Sequence, residues 1–290
     1  MVVLLGLAVA GALGASDFLG GYSARRSTTG SVVVVSQSIS LVVAVVAVVV
    51  IGDPLAPSRD LVLGACAGVA VLIGVASLYR GLAIGRMSVV ASVSAVGTTI
   101  IPVAWGLTHG EDPGMVALLG AAVALAAVVL VARPTPDDAE REAADAGATS
   151  ARRFRAELAY SLVAAAGFGV ATTFYSEVGT DGGAWPALVA RLVTVPVALV
   201  AVGLVMRGRL LPHRQDRWFA IGAGALEGVG NVLIVIALQR GLASVVAPVV
   251  AMYPAMTVLL ARLVVGERLG RLRLLGLGLM LAGIAALAGG

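Results

Sequence analysis

Eight side chains put polar chemistry inside long apolar runs of this sequence: Asp17, Gln37, Ser94, Thr98, Arg191, Glu227, Asn231 and Tyr253. An ionisable group at bilayer depth costs about 2.5–3.5 kcal/mol on insertion scales, so it normally has a partner or a task. Glu227 and Asn231 are four residues apart and share one helical face. A guanidinium such as that of Arg191 suits an anionic group, typically a carboxylate. Glu227 suits an amine or a proton. Gln37, Ser94, Thr98 and Tyr253 add hydrogen-bonding capacity without charge. Together these residue types describe a polar cavity that binds a small molecule, with a proton as a candidate coupling ion. Plainer assignments stay open beside it. Arg191 and Glu227 could form a structural ion pair, Asp17 could bond nearby backbone or an arginine, and Gln37 could be an interhelical hydrogen bond.

No catalytic constellation competes with binding. The chain has no Lys, so it has no phosphate loop of the Gly-x-x-x-x-Gly-Lys-Ser/Thr type. His-Glu-x-x-His and Gly-x-Ser-x-Gly are absent, and the two histidines, His109 and His213, fall in separate loops. Neither an enzyme activity nor a cofactor or metal is expected. The single Cys66 excludes an internal disulfide and, lying in an apolar run, is read as packing.

The elements that must hold these groups follow from composition. Of 290 residues, 59% are hydrophobic and 12% charged, whereas a soluble domain is about 45–50% apolar and about 25% charged. The mean hydropathy is +1.02. A spanning helix needs about 20 mostly apolar residues. The apolar runs give ten spans, near 2–22, 31–51, 61–80, 88–108, 115–132, 157–177, 184–206, 218–239, 244–265 and 272–289. The expected fold is therefore all-α and polytopic, with the lipid bilayer as its surroundings. Its net charge of +4 reflects arginines at a membrane face rather than a nucleic-acid surface.

Those arginines also assign sides. Fifteen lie at breaks after odd-numbered spans and Arg262 and Arg273 lie close to the same side, making seventeen; two (Arg59 and Arg240) lie on the other side, and Arg191 is within a span. Cytoplasmic loops carry the excess, which places both termini outside a bacterial inner membrane. Trp105, Trp185 and Trp218 fall near span ends, as an interfacial belt requires. Tyr22, Tyr79 and Tyr175 also lie near span ends and read equally as interface anchors.

The sequence repeats. Arg80-Gly81-Leu82-Ala83 returns as Arg240-Gly241-Leu242-Ala243, and Ser88-Val89-Val90-Ala91 as Ser244-Val245-Val246-Ala247. Gly110-Glu111 matches Gly266-Glu267, and the Gly64/Gly68 pair matches Gly224/Gly228. Gln37 roughly matches Arg191 under the same repeat. The organisation expected is a five-helix repeat over 1–132, a cytoplasmic linker over 133–156 and a second five-helix repeat over 157–290. An odd number of spans per repeat forces the second copy to enter from the opposite side, and inverted repeats of this kind are characteristic of secondary transporters.

The two-fold five-span pattern with Gly-Glu closing the fourth and ninth spans resembles the EamA-like branch of the drug/metabolite transporter superfamily. Met252–Leu269, Ser16–Gly21 and Ala190-Arg191-Leu192 carry the same resemblance. It implies ten helices, a central cavity, and transport, often export, of small metabolites such as amino acids or of drug-like compounds. Members are commonly drawn with cytoplasmic termini, whereas the arginine distribution here puts the termini outside. The alternative class is a passive channel or a non-transporting membrane scaffold. Either would be a monomer or a homodimer.

Overall fold

The structure, a computed structural model, describes residues 2–108, 147–239, 253–266 and 270–289, with isolated positions between 115 and 127. Every regular element among the described residues is helical. The helices are α1 (Val2–Ala24), α2 (Thr29–Ile51), α3 (Ser58–Ile84), α4 (Met87–Thr108), α5 (Gly147–Ser176), α6 (Trp185–Val200), α7 (Arg217–Gln239), α8 (Tyr253–Leu260) and α9 (Arg271–Gly289). Short π turns extend α6 over Ala201–Val205 and α8 over Ala261–Val265. Most of the expected fifth span and the linker, together with Glu111 and Glu267, lies outside the described residues.

The β-branched runs of α2, Val32–Val35 and Val48–Ile51, would favour strands in water. In lipid the backbone must satisfy its own hydrogen bonds, and a single segment does so only as a helix. Among the described residues, five helices are long and apolar enough to cross a membrane, judged by length and composition. Their outward faces fit lipid: Val42, Val45, Val46, Val49 and Val50 on α2 are all exposed. Cys66 is exposed too, which corrects its reading as a packed residue. Glycine ends two of the elements. Gly52 closes α2 at φ +71° and Gly266 closes the turn after α8 at φ +73°. That left-handed conformation suits Gly and explains the Gly of the second Gly-Glu pair.

Loops gather at two ends, as alternating spans require. At the arginine-rich end, Ser23 donates its hydroxyl to the Asp216 carbonyl (3.2 Å), and Arg25 donates to the carbonyls of Leu82 and Gly85, each at 2.9 Å. At the opposite end, the Gly179 N–H donates to Asp60, the Trp185 indole donates to the Asp53 carbonyl, and Arg59 pairs with Glu177. The break between α3 and α4 is shorter than the polar pattern over 81–87 predicts. α3 continues to Ile84, where Arg25, the residue after α1, donates to the carbonyls of Leu82 in its last turn and of Gly85 at its cap.

Glu157, 5% exposed, holds that same corner. Its carboxylate accepts from the Arg86 main-chain N–H (3.0 Å), Nε (3.1 Å) and Nη2 (3.2 Å). Removing a charged acceptor of this kind costs about 1–3 kcal/mol. Glu157→Ala is expected to lower the thermal unfolding temperature of the detergent-solubilised protein, and an unchanged midpoint would contradict that role.

Helices from the two halves of the sequence interleave. α3 packs on α5 and α6, α4 on α5, α1 on α7 and α8, and α2 on α6 and α7. The core lies where these helices cross. It contains Leu78, Tyr79, Leu82 and Val32, all buried, along with small residues that bring the backbones close.

Candidate functional site

Three helices bring buried polar side chains together. Gln37 comes from α2, Arg191 from α6 and Glu227 from α7, and their residues are 0%, 1% and 5% exposed. Glu227 lies ten residues into α7, which is about 15 Å along the axis and near the middle of a hydrocarbon core about 30 Å thick.

Glycines set this meeting point. A Cβ on Gly68 would stand 2.5 Å from the Ala190 carbonyl oxygen, and one on Gly64 would stand 2.6 Å from that of Pro186. α3 therefore lies directly against the backbone of α6, one residue from Arg191. A Cβ on Gly224 would run into the Ser36 carbonyl, and one on Gly228 would crowd Val43 and Ser40. α7 thus lies against the backbone of α2, one residue from Gln37. The two Gly-x-x-x-Gly pairs act as packing surfaces, one beside Arg191 and the other beside Gln37.

The side chains form a closed bridge. Arg191 Nη1 donates to Gln37 Oε1 at 2.7 Å. Gln37 Nε2 donates to both carboxylate oxygens of Glu227, at 3.0 and 2.8 Å. Arg191 Nη2 stands 3.2 Å from Glu227 Oε1, at ion-pair distance but without hydrogen-bond alignment. The charges fix the amide orientation of Gln37, because its oxygen must face the donor and its nitrogen the acceptor. The net charge of the three is zero, which makes their burial tolerable.

Two buried polar atoms beside this bridge have no hydrogen-bond partner among the described residues: Arg191 Nη2 and the Tyr175 hydroxyl. Tyr175 is 4% exposed and interacts electrostatically with both Arg191 and Glu227. Tyr79, 1% exposed, packs its ring over Gly20 and interacts with Ser16 and Ser36. Neither tyrosine is an interface anchor, which corrects that alternative. Their closeness in sequence to polar breaks hid their burial; with aromatics only 4% of the chain, a tyrosine next to an apolar helix end was the available signal. Tyr22 does sit at the arginine-rich end, with its ring under Arg26 at 4.5 Å.

The other sequence candidates are less closely joined. Asp17 is half-buried on α1 and feels the charge of Glu227. Asn231 donates to the Glu227 carbonyl at 2.9 Å, binding its own helix rather than the carboxylate. Ser94 is buried and donates to the Val90 and Ala91 carbonyls of α4. Tyr253 is buried and packs with Ala10 and Ala95. The Thr98 side chain lies outside the described residues. Among the described residues no His, Cys, Asp or Glu group could hold a metal ion.

A helical membrane fold with a buried, charge-balanced polar bridge between its two sequence halves defines the class. Residues 156–289 match the model of the EamA-like transporter family. The chain is 28% identical over 127 residues to an uncharacterised protein of Methanocaldococcus jannaschii; the match covers 44% of this chain and 92% of that one. A solved crystal structure shares the fold at a TM-score of 0.64 and 16% identity, covering 99% of this chain and 96% of its own.

Proposed function

We propose that this protein is a secondary transporter, an exporter or facilitator of small metabolites such as amino acids or drug-like compounds, working by alternating access at the Arg191–Gln37–Glu227 bridge. One observation carries the reading. A guanidinium and a carboxylate are buried between helices of the two sequence halves, and Arg191 Nη2 and the Tyr175 hydroxyl remain without hydrogen-bond partners among the described residues. A molecule bearing both a carboxylate and an amine can open the bridge without stranding either charge. Its anion takes Arg191 and its cation takes Glu227. A singly charged molecule would leave one buried charge unpaired, which is costly. A proton on Glu227 or Asp17 is the coupling ion this arrangement could use.

The halves are two inverted five-helix repeats, over 1–132 and 157–290, joined by a cytoplasmic linker over 133–156. Supporting this, α3 lies on α6 through Gly64 and Gly68 while α7 lies on α2 through Gly224 and Gly228, and Gln37 and Arg191 meet each other across the repeat. The archaeal relative is also matched over 92% of its length by less than half of this chain, as a single-repeat unit would be. Rocking one repeat against the other would expose the bridge to each side in turn. Both termini face outside a bacterial inner membrane, which the gathering of Arg25, Arg86 and Arg217 at one end of the bundle supports.

The test is flux of labelled amino acids through purified protein in ATP-free liposomes. Saturable flux with competition between substrates is expected. Flux that neither saturates nor shows competition would indicate a passive channel, and no flux of any substrate would indicate a scaffold.

A further inference from the structure

A second site lies at the arginine-rich end, away from the central bridge. The connection from the π turn after α6 to the start of α7 folds back over the α1–α2 turn, and the two line an open cavity of about 490 Å³. Arg209, Arg214 and Arg217 line it on one side, and Ser27, Thr28 and Ser31 on the other. All three arginines are exposed, and among the described residues none of them forms an ion pair. Asp216 stands behind the cavity, wholly buried, with its Oδ2 accepting the Ser27 hydroxyl. Among the described residues the lining itself holds three arginines and no carboxylate. α2 begins at this cavity, and Thr28 makes no side-chain cap to its first N–H groups, so the positive end of a 23-residue helix adds to the same field.

The cavity is also at the membrane edge. Leu204, Val205 and Met206 are 75%, 77% and 70% exposed just before it, and Leu211, 54% exposed, is in its lining. A soluble protein would not leave such a run facing water. Basic headgroup sites flanked by acyl-facing surface suit an anionic phospholipid. We infer that this cavity binds the phosphate of an anionic phospholipid, with Arg209, Arg214 and Arg217 around the headgroup and the acyl chains lying along Leu204–Met206. A lipid there ties the α1–α2 turn to the segment that joins α6 to α7.

Native mass spectrometry of the detergent-purified full chain tests this. The probes are dioleoylphosphatidylglycerol, dioleoylphosphatidylcholine and inorganic phosphate. Phosphatidylglycerol is expected to bind about ten-fold more tightly than phosphatidylcholine, and phosphate at the same concentration is expected not to displace it. R209Q/R214Q/R217Q brings phosphatidylglycerol to the phosphatidylcholine level, whereas R152Q/R153Q/R155Q, which removes as many arginines from α5, keeps the preference. Equal binding of the two lipids by the native protein would overturn the inference. So would equal loss in both triple variants, or displacement by phosphate as efficient as by lipid, which would mark a soluble-anion site.

Discussion

Arg191→Ala is expected to lower the stability of the protein by about 3–5 kcal/mol. Without the guanidinium, Glu227 keeps, among the described residues, the Gln37 amide alone as a partner for a carboxylate that is almost entirely buried. Glu227→Ala should cost a similar amount for the mirror reason, since the Arg191 charge would keep only the Gln37 oxygen. The double variant R191Q/E227Q removes both charges and leaves three amides that can hydrogen-bond one another. It is expected to recover most of the loss, because replacing both members of a buried pair is far milder than breaking it. Thermal unfolding of the three variants in one detergent reads this directly. A double variant as unstable as the sum of the singles would mean that the two charges do not act on each other.

Gly68→Val carries the second large effect. The new side chain would have to occupy space 2.5 Å from the Ala190 carbonyl oxygen and 2.8 Å from its Cα. Both are backbone atoms, so no rotamer change relieves the clash and α3 must part from α6. Overpacking of this kind costs about 1–3 kcal/mol, occasionally more. It also displaces Arg191, the next residue, so transport should fall further than stability alone would dictate. Gly224→Val should act alike through Ser36 and Gln37. Gly278 is the control. Among the described residues nothing lies within 4 Å of a Cβ there, and Gly278→Ala should be neutral or stabilising by up to about 1 kcal/mol. Equal behaviour at Gly68 and Gly278 in unfolding and flux measurements would contradict the close packing.

Helix positions were largely legible in the sequence, because lipid allows few alternatives to an apolar helix. α2 starts at Thr29 and α6 at Trp185, within two residues of the expected spans. What escaped depended on other helices. α3 continues past Arg80 and Gly81 to an end where Arg25, the residue after α1, donates to the carbonyls of Leu82 and Gly85. α5 begins at Gly147, inside the stretch read as linker.

The site was legible in part for the same reason. Arg191, Glu227 and Gln37 stand out as polar residues in apolar runs. That Gln37 would sit between the two charges follows only from how α2, α6 and α7 cross. Asn231 shares a helical face with Glu227, yet its amide found the nearer acceptor, the Glu227 carbonyl. Tyr79 and Tyr175 looked peripheral because depth was counted along the chain, while their burial comes from neighbouring helices.

The most direct test of the account is the flux of labelled amino acids into ATP-free liposomes containing R191Q/E227Q, beside the native protein. The account predicts saturable flux for the native protein and none for the double variant, although that variant is folded. Native-level saturable flux through R191Q/E227Q would contradict it and reduce the Arg191–Gln37–Glu227 bridge to a structural tie between helices.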